Sequence, residues 1–158
     1  MPRDDAKELG VLQQAMGAAD VPQAETQELF KAIAAVVHLG GAAFASVGEE
    51  GGGQRRTTVT YEGEEALRRV ATLLGCDLKA LRFALCAKNI KAGSEWIETS
   101  NSVTAAAELC DGLAKTVYAK AFDWLVSQVN RAVSAEHKAG LASQAEQPTS
   151  HIGVLDIF

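Results

Sequence analysis

A single carboxylate near the end of the chain stands in a pattern that could support nucleotide chemistry. The last eight residues, HIGVLDIF, are apolar except for His151 and Asp156. In α/β nucleotide-binding proteins, ligands bind at the carboxyl edge of the strands, and in P-loop proteins an Asp at such an edge helps to hold Mg²⁺. Any buried strand followed by a polar residue would look similar, so the pattern alone leaves both interpretations open.

The glycine-rich stretch VGEEGGGQRR, Val47 to Arg56, lacks the features of a phosphate-binding loop. A P-loop has the form GxxxxGK[ST], in which backbone amides cradle the phosphate and the Lys reaches it. Here the Lys is absent, and the carboxylates of Glu49 and Glu50 would repel phosphate. The glycine content predicts a flexible surface loop.

Charged side chains surround an aromatic residue in AKNIKAGSEWIET, Ala87 to Thr99. The central Ala92-Gly93-Ser94 predicts a turn, so the stretch is interpreted as a β-hairpin. Mixed charges at a hairpin tip usually indicate only a solvated turn. The functional alternative is a protein-binding finger, in which Trp96 either anchors the hairpin base or contacts a partner.

Composition and charge exclude several other classes. The net charge of −5 argues against nucleic acid as a main partner, because phosphate binding needs clustered Lys and Arg. No apolar run approaches the roughly 20 residues of a membrane span, and the first ten residues resemble no secretory signal. Three cysteines without a CxxC pair and three scattered histidines fit neither a disulfide framework nor a zinc site, which predicts reduced, mostly core thiols.

Hydrophobic periodicity predicts one mainly α-helical domain with short β-strands. The predicted helices are Asp4–Met16, Gln23–His38, Glu62–Leu74, Asp77–Leu85 and a long one, Ser102–Glu136. The predicted strands outside the hairpin are Ala42–Ser46, Thr57–Tyr61 and a terminal core strand, His151–Phe158, which follows a polar linker, His137–Ser150. The long helix is apolar on a broad face, so burial against several other helices is expected.

Three stretches, in order, resemble the myosin motor domain: FKAIAAVVHLGGAAF, CDGLAKTVYAKAFDWLVSQVN and IGVLDIF. The resemblance covers Asp4 to Phe158. It implies that residues 1–158 are a partial motor domain, a fragment of the α/β P-loop-type motor fold with a long central helix. The motifs GESGAGKT (P-loop) and NxNSSRFGK (switch I) are absent, and switch II stops at Phe158.

The resemblance also implies roles for individual residues. Asp156 matches the switch II aspartate, which supports the Mg²⁺ site mainly through water. ATP and Mg²⁺ are thus implied for the complete motor, whereas no cofactor and no ATP hydrolysis are expected of this chain alone.

The same resemblance places two actin-facing segments in the chain. Val47 to Arg56 matches the variable loop 4, and Ala87 to Thr99 matches the cardiomyopathy loop. The implied actin-binding residues are Arg55, Arg56, Lys88, Asn89, Lys91, Glu95 and Glu98. Glu95 lies sixteen residues before Asp111, at the family's TEDS position, where a negative charge favours productive actin binding.

The chain is therefore expected to be part of an actin-based, ATP-driven motor of the cytoplasm and cytoskeleton. Its expected partners are the actin filament and the remainder of the motor domain, with no nucleic acid and no membrane span. The alternative is a non-catalytic helical interaction module derived from a motor sequence.

Overall fold

The computed structural model describes residues 4–48 and 55–141, and the surroundings of side chains as far as residue 134. Within these ranges the chain is mainly helical with short antiparallel strands, as the sequence predicts. The helices are α1 (Asp5–Ala18), α2 (Gln23–Leu39), α3 (Tyr61–Leu74), α4 (Leu78–Cys86) and α5 (Val103–Leu141). The strands are β1 (Phe44–Val47), β2 (Arg56–Val59), β3 (Ala87–Ala92) and β4 (Glu95–Ser100).

Four of the helices begin at a side chain that accepts a hydrogen bond from the backbone N–H three residues later. This bond satisfies one of the donors that a helix N-terminus leaves unpaired, and it fixes where the helix starts. The acceptors are Asp4, Thr60, Asp77 and Ser102, with donor–acceptor distances of 3.1, 3.1, 2.8 and 3.1 Å.

The second strand is shorter at its end than predicted, because Thr60 caps the following helix. The sequence predicts a strand over Thr57–Tyr61, but the strand is Arg56–Val59 and Tyr61 is the first residue of α3. The reason is that Thr60, whose own backbone is extended, accepts a hydrogen bond from the Gly63 N–H with its hydroxyl, so that the helix begins at Tyr61. Arg56, predicted to lie in the preceding loop, pairs with Val47 in the ladder.

The long helix is also longer than predicted. It continues to Leu141, so residues 137–141 are helical, although the sequence suggests that they begin a polar linker. Polar side chains such as those of His137 and Lys138 are compatible with a helix, and the single Gly140 costs only about 1 kcal/mol of helix propensity, so the helix continues through it. The predicted terminal strand, residues 151–158, lies outside the described residues.

The main core lies where four helices meet. Each helix contributes side chains that are buried or nearly so: Ala35 and Leu39 of α2, Leu67 and Val70 of α3, Leu85 of α4, and Cys110 of α5. The thiol of Cys110 lies 3.6 Å from the carbonyl oxygen of Leu39, which joins α5 to the end of α2. A second cluster of Met16, Val21 and Leu29 packs against α5 near Trp124.

Two of the three cysteines match the predicted core thiols and the third does not. Cys86 and Cys110 are buried, whereas Cys76 is exposed just beyond the end of α3. Burial raises the pKa of both buried thiols, since it penalises the charged thiolate. Nearby carboxylates, Glu64 for Cys86 and Asp111 for Cys110, raise the pKa further, although Arg82 opposes this at Cys86.

One apolar stripe of α5 has no cover in the described part of the chain, contrary to the expectation that the whole broad face is buried. The stripe comprises Phe122, Val126, Val129 and Val133, whose side chains are between 42% and 61% exposed. The face that carries Ala106 and Cys110 is buried. The helix is thus two-sided, with apolar residues on both a packed face and an open one.

Two helical glycines differ in the space around them, which predicts opposite effects of alanine. A Cβ at Gly112 would meet nothing within 4 Å, so Gly112→Ala should stabilise the fold by about 0.5–1 kcal/mol through helix propensity. A Cβ at Gly63 would lie 2.5 Å from the backbone oxygen of Ala43, so Gly63→Ala should cost roughly 1–3 kcal/mol. Urea unfolding midpoints measure both, and equal midpoints for the two variants would contradict the packing described.

Candidate functional site

The β3–β4 hairpin carries five of the residues that the resemblance assigns to actin binding. The strands are antiparallel, with Lys88 opposite Thr99, Asn89 opposite Glu98, and Ala92 opposite Glu95. The turn between them contains Gly93 with φ +64°, a conformation that favours glycine. The predicted hairpin and its turn are thus confirmed, and β4 extends one residue further, to Ser100.

The pleat divides these residues between two faces, because successive side chains of a strand point to opposite sides. The first, the Ile face, consists of Lys88, Ile90, Glu95 and Ile97. The second, the Trp face, consists of Asn89, Lys91, Trp96 and Glu98. A flat partner surface would therefore contact one face or the tip, and not all of the predicted residues at once.

All eight side chains of the two faces are exposed. Trp96 lies opposite Lys91, near the turn, and is 69% exposed. The suggestion that Trp96 anchors the hairpin base is therefore wrong, and an indole in this position is available to a partner.

Hydrogen bonds hold the hairpin base in place. Buried Asn101 donates from its side chain to the Leu85 carbonyl at 2.9 Å, and from its backbone to the Cys86 carbonyl at 2.9 Å. The Thr57 backbone N–H donates to Ser100 Oγ at 2.8 Å, and the Thr57 hydroxyl donates to the Asn101 carbonyl at 2.6 Å. We call these three residues, Thr57, Ser100 and Asn101, the base junction.

The base junction was not anticipated from the sequence. The polar run TSNS between β4 and α5 suggests only a loop, and Thr57 is 43 positions away from Ser100. A sequence signal exists in the small polar side chains themselves, which often bond to backbone groups. Which backbone groups they reach depends on how β2 and α4 pack, and local sequence does not specify that.

One of the two predicted arginines, Arg56, lies beside the hairpin base. Arg55 is exposed just before β2, and Arg56 begins that strand. Arg56 lines a cavity of about 260 Å³ to which Glu98 also contributes, so the structure brings these two predicted residues together. The other lining residues are Thr57, Lys79, Arg82, Phe83, Cys86, Ala87 and Ser100.

Charges in this cavity are partly paired. Arg82 forms an ion pair with Glu64 of α3. Its Nε is nevertheless buried without a hydrogen-bond acceptor. Within the described ranges, no carboxylate lies within 4.0 Å of the charged groups of Arg56 or Lys79.

The predicted catalytic and metal-site residue, Asp156, lies outside the described residues, as do residues 49–54 of the glycine-rich loop. Among the residues that the structure does describe, no three His, Cys, Asp or Glu side chains are grouped so as to hold a metal ion. None of the helices in this part of the chain is both long and apolar enough to cross a bilayer.

The family model and the individual relatives that match this chain indicate the same family. The family described as "Myosin head (motor domain)" matches residues 2–158. Relatives include Myosin-13 of Arabidopsis thaliana, which is 34% identical over 155 residues, and the non-muscle Myosin-2 heavy chain of Acanthamoeba castellanii, which is 32% identical over 154. Each match covers 98% of this chain, but only 10% and 9% of the respective relative. The chain thus spans about a tenth of these relatives' length.

The base junction predicts a stability effect at Asn101. Asn101→Ala leaves the Leu85 carbonyl without its side-chain donor, so the free energy of unfolding should fall by about 1–3 kcal/mol. Amide hydrogen exchange across β3 and β4 should accelerate as well, since the hairpin base loosens. Urea unfolding and exchange measurements test this.

Asn89→Ala is the matched control, because Asn89 is exposed on the same hairpin. It should change the free energy of unfolding by less than about 0.5 kcal/mol. Equal losses for the two variants would contradict the role of the base junction.

Proposed function

Because the chain belongs to the myosin motor domain family, we propose that it is part of an actin-based, ATP-driven motor in which the β3–β4 hairpin faces the actin filament. The observation that carries this proposal is the exposed, charged hairpin fixed at its base, at the position that resembles the family's cardiomyopathy loop. The motor would act in the cytoplasm, on the cytoskeleton, with the filament and the rest of the motor domain as partners.

The hairpin has the physical properties of a protein-binding finger. Its tip presents an indole and charges of both signs to solvent, and aromatic side chains are enriched among the residues that dominate binding. Its base is held by side-chain bonds to the backbone, so little conformational entropy is lost on binding. These features favour a docking role over an ordinary solvated turn.

The charges on the hairpin would set orientation and encounter rate more than affinity. Glu95, next to the turn, supplies a permanent negative charge that can pair with basic groups on the filament. Lys91, on the Trp face, would meet the acidic side of actin, and Arg55 and Arg56 would add positive charge. Lys88 lies on the opposite face, so a flat filament surface would not contact both lysines at once. Such exposed interactions are screened by salt, so binding should weaken as ionic strength rises.

Nucleotide chemistry belongs to the complete motor in this proposal. ATP with Mg²⁺ supplies the phosphoryl transfer there, and Asp156 would support the metal through water. Residues 1–158 would then be a partial motor domain of the α/β P-loop-type fold. Phosphoryl transfer needs the phosphate cradle, its Lys and the metal ligands together, and the motifs GESGAGKT and NxNSSRFGK do not occur in these 158 residues.

Charge reversal at Glu95 tests the filament contact. Glu95→Lys replaces attraction by repulsion at an exposed pair, which should weaken binding by about 1 kcal/mol, or roughly fivefold. Co-sedimentation of the purified chain with actin filaments, at low and high ionic strength, measures the change. Glu108→Lys, an exposed reversal on α5, is the control. Equal weakening by both variants would indicate a general charge effect and contradict the assignment.

The partial motor domain should not turn over ATP. Phosphate release by the purified chain with magnesium and ATP should stay at the level of a blank, with or without filaments. A complete motor domain from one of the relatives serves as the positive control. Turnover above the blank would show that the catalytic parts need not come from elsewhere.

A further inference from the structure

The cavity beside the hairpin base has features of a binding subsite. It lies between the start of β2, α4 and the end of β4 that is far from the turn, and we call it the basic pocket. Its cationic members are Arg56, Lys79 and Arg82, and Glu98 is the single acidic residue of its lining. We propose that the basic pocket accepts a carboxylate side chain of the filament protein that the hairpin binds. This inference rests on the proposed function and refines it.

The charge balance of the basic pocket favours an anion. The chain as a whole carries a net charge of −5, yet three cations converge here. One of them, Arg82, is compensated by Glu64. Arg56 and Lys79 have no carboxylate within 4.0 Å in the described part of the chain. The pocket is therefore a local positive site on an acidic protein, which would concentrate anions.

Arg82 adds a second indication. Its guanidinium is held at the pocket by the ion pair with Glu64 and stays partly exposed, so it adds a fixed positive charge to the lining. Its Nε is a buried donor without an acceptor and is closed to a ligand in the pocket, so an anion would contact the other guanidinium nitrogens. A carboxylate is the acceptor that best matches guanidinium groups, because its two oxygens can accept parallel N–H bonds.

The size of the pocket favours a side chain over a larger ligand. Pockets for small molecules and cofactors are usually about 300–1,000 Å³, whereas this one is about 260 Å³. Its walls are also held in place, since Thr57 and Ser100 line it and bond to each other. A preformed pocket of this size fits the end of an Asp or Glu side chain, and it needs little reordering on binding.

The basic pocket and the Trp face of the hairpin share one residue. Glu98 lines the pocket and also belongs to the Trp face, together with Lys91 and Trp96. A protein lying on the Trp face therefore reaches the pocket mouth. The charge of Glu98 opposes an incoming carboxylate, which gives this residue a part in setting the affinity.

Paired substitutions test the pocket in filament binding. Arg56→Gln together with Lys79→Gln removes the two uncompensated charges, and affinity for actin filaments in co-sedimentation should fall at least fivefold. The control is Arg69→Gln together with Lys115→Gln, an equal loss of exposed charge on α3 and α5. It should change affinity less than twofold. Equal effects of the two double variants would overturn the proposal.

A third variant separates a binding effect from damage to the fold. Glu98→Gln removes the opposing charge, so filament affinity should rise about twofold, a direction that misfolding does not produce. Unchanged or reduced affinity would count against the pocket.

A small probe identifies the ligand chemistry directly. Sodium acetate, titrated at constant ionic strength, should shift the backbone amide signals of Thr57, Cys86 and Ser100 in nuclear magnetic resonance spectra, and the Arg56/Lys79 variant should lose the shifts. Sodium phosphate is the comparison. Shifts from phosphate as large as those from acetate, with filament binding unaffected by the double variant, would indicate a general anion site and overturn the carboxylate proposal.

The two proposals can fail separately. If Glu95→Lys weakens filament binding while the pocket variants do not, the hairpin contact stands and the pocket is wrong. If the unmodified chain does not bind filaments at all, the proposed function fails and the pocket proposal fails with it.

Discussion

Asn101 holds together the parts of the chain that the candidate site needs. Its side chain and backbone bond to the last two residues of α4, and its carbonyl accepts from Thr57 of β2. It also directly precedes the Ser102 cap of α5. One buried residue, through its side-chain amide and its backbone groups, therefore joins two hairpins and two helices at one point. Because the group is buried, losing any of these bonds leaves a polar atom without water to replace the partner, which makes the arrangement specific.

The helix α5 links this junction to the rest of the protein. Its buried face contributes Cys110 to the main core and Ala121 to the second cluster. Its other apolar stripe is open along Phe122 to Val133, and extended exposed apolar patches usually mark surfaces that meet other protein. The relatives are about ten times as long as this chain, which agrees with the proposal that the remainder of a motor domain is among its partners.

In the proposed function, the hairpin and the basic pocket contribute to filament binding in different ways. Exposed charges at the hairpin tip gain little affinity individually, since water and salt compete with them. Arg56 and Lys79 of the basic pocket are also exposed, so salt would screen their pairs as well, and the pocket would contribute position and specificity more than affinity. Glu98 belongs to both regions, and its place in the pocket depends on how α4 and the start of β2 lie relative to the hairpin, which local sequence does not specify.

The sequence by itself determined the family, the order of the helices and the presence of both hairpins. Periodicity, the Gly93 turn and three motif blocks suffice for this, because each depends on residues close together in the chain, and the family match over residues 2–158 confirms the resemblance. The tertiary structure decided the rest: the burial of Asn101, its bond to Leu85, the exposure of Trp96, and the placement of Arg56 and Glu98 around one cavity. These depend on how distant segments pack, as with Thr57 and Ser100, which are 43 residues apart. Local patterns carry no information about such contacts, since the same polar residues form a solvated loop when no backbone partner approaches them.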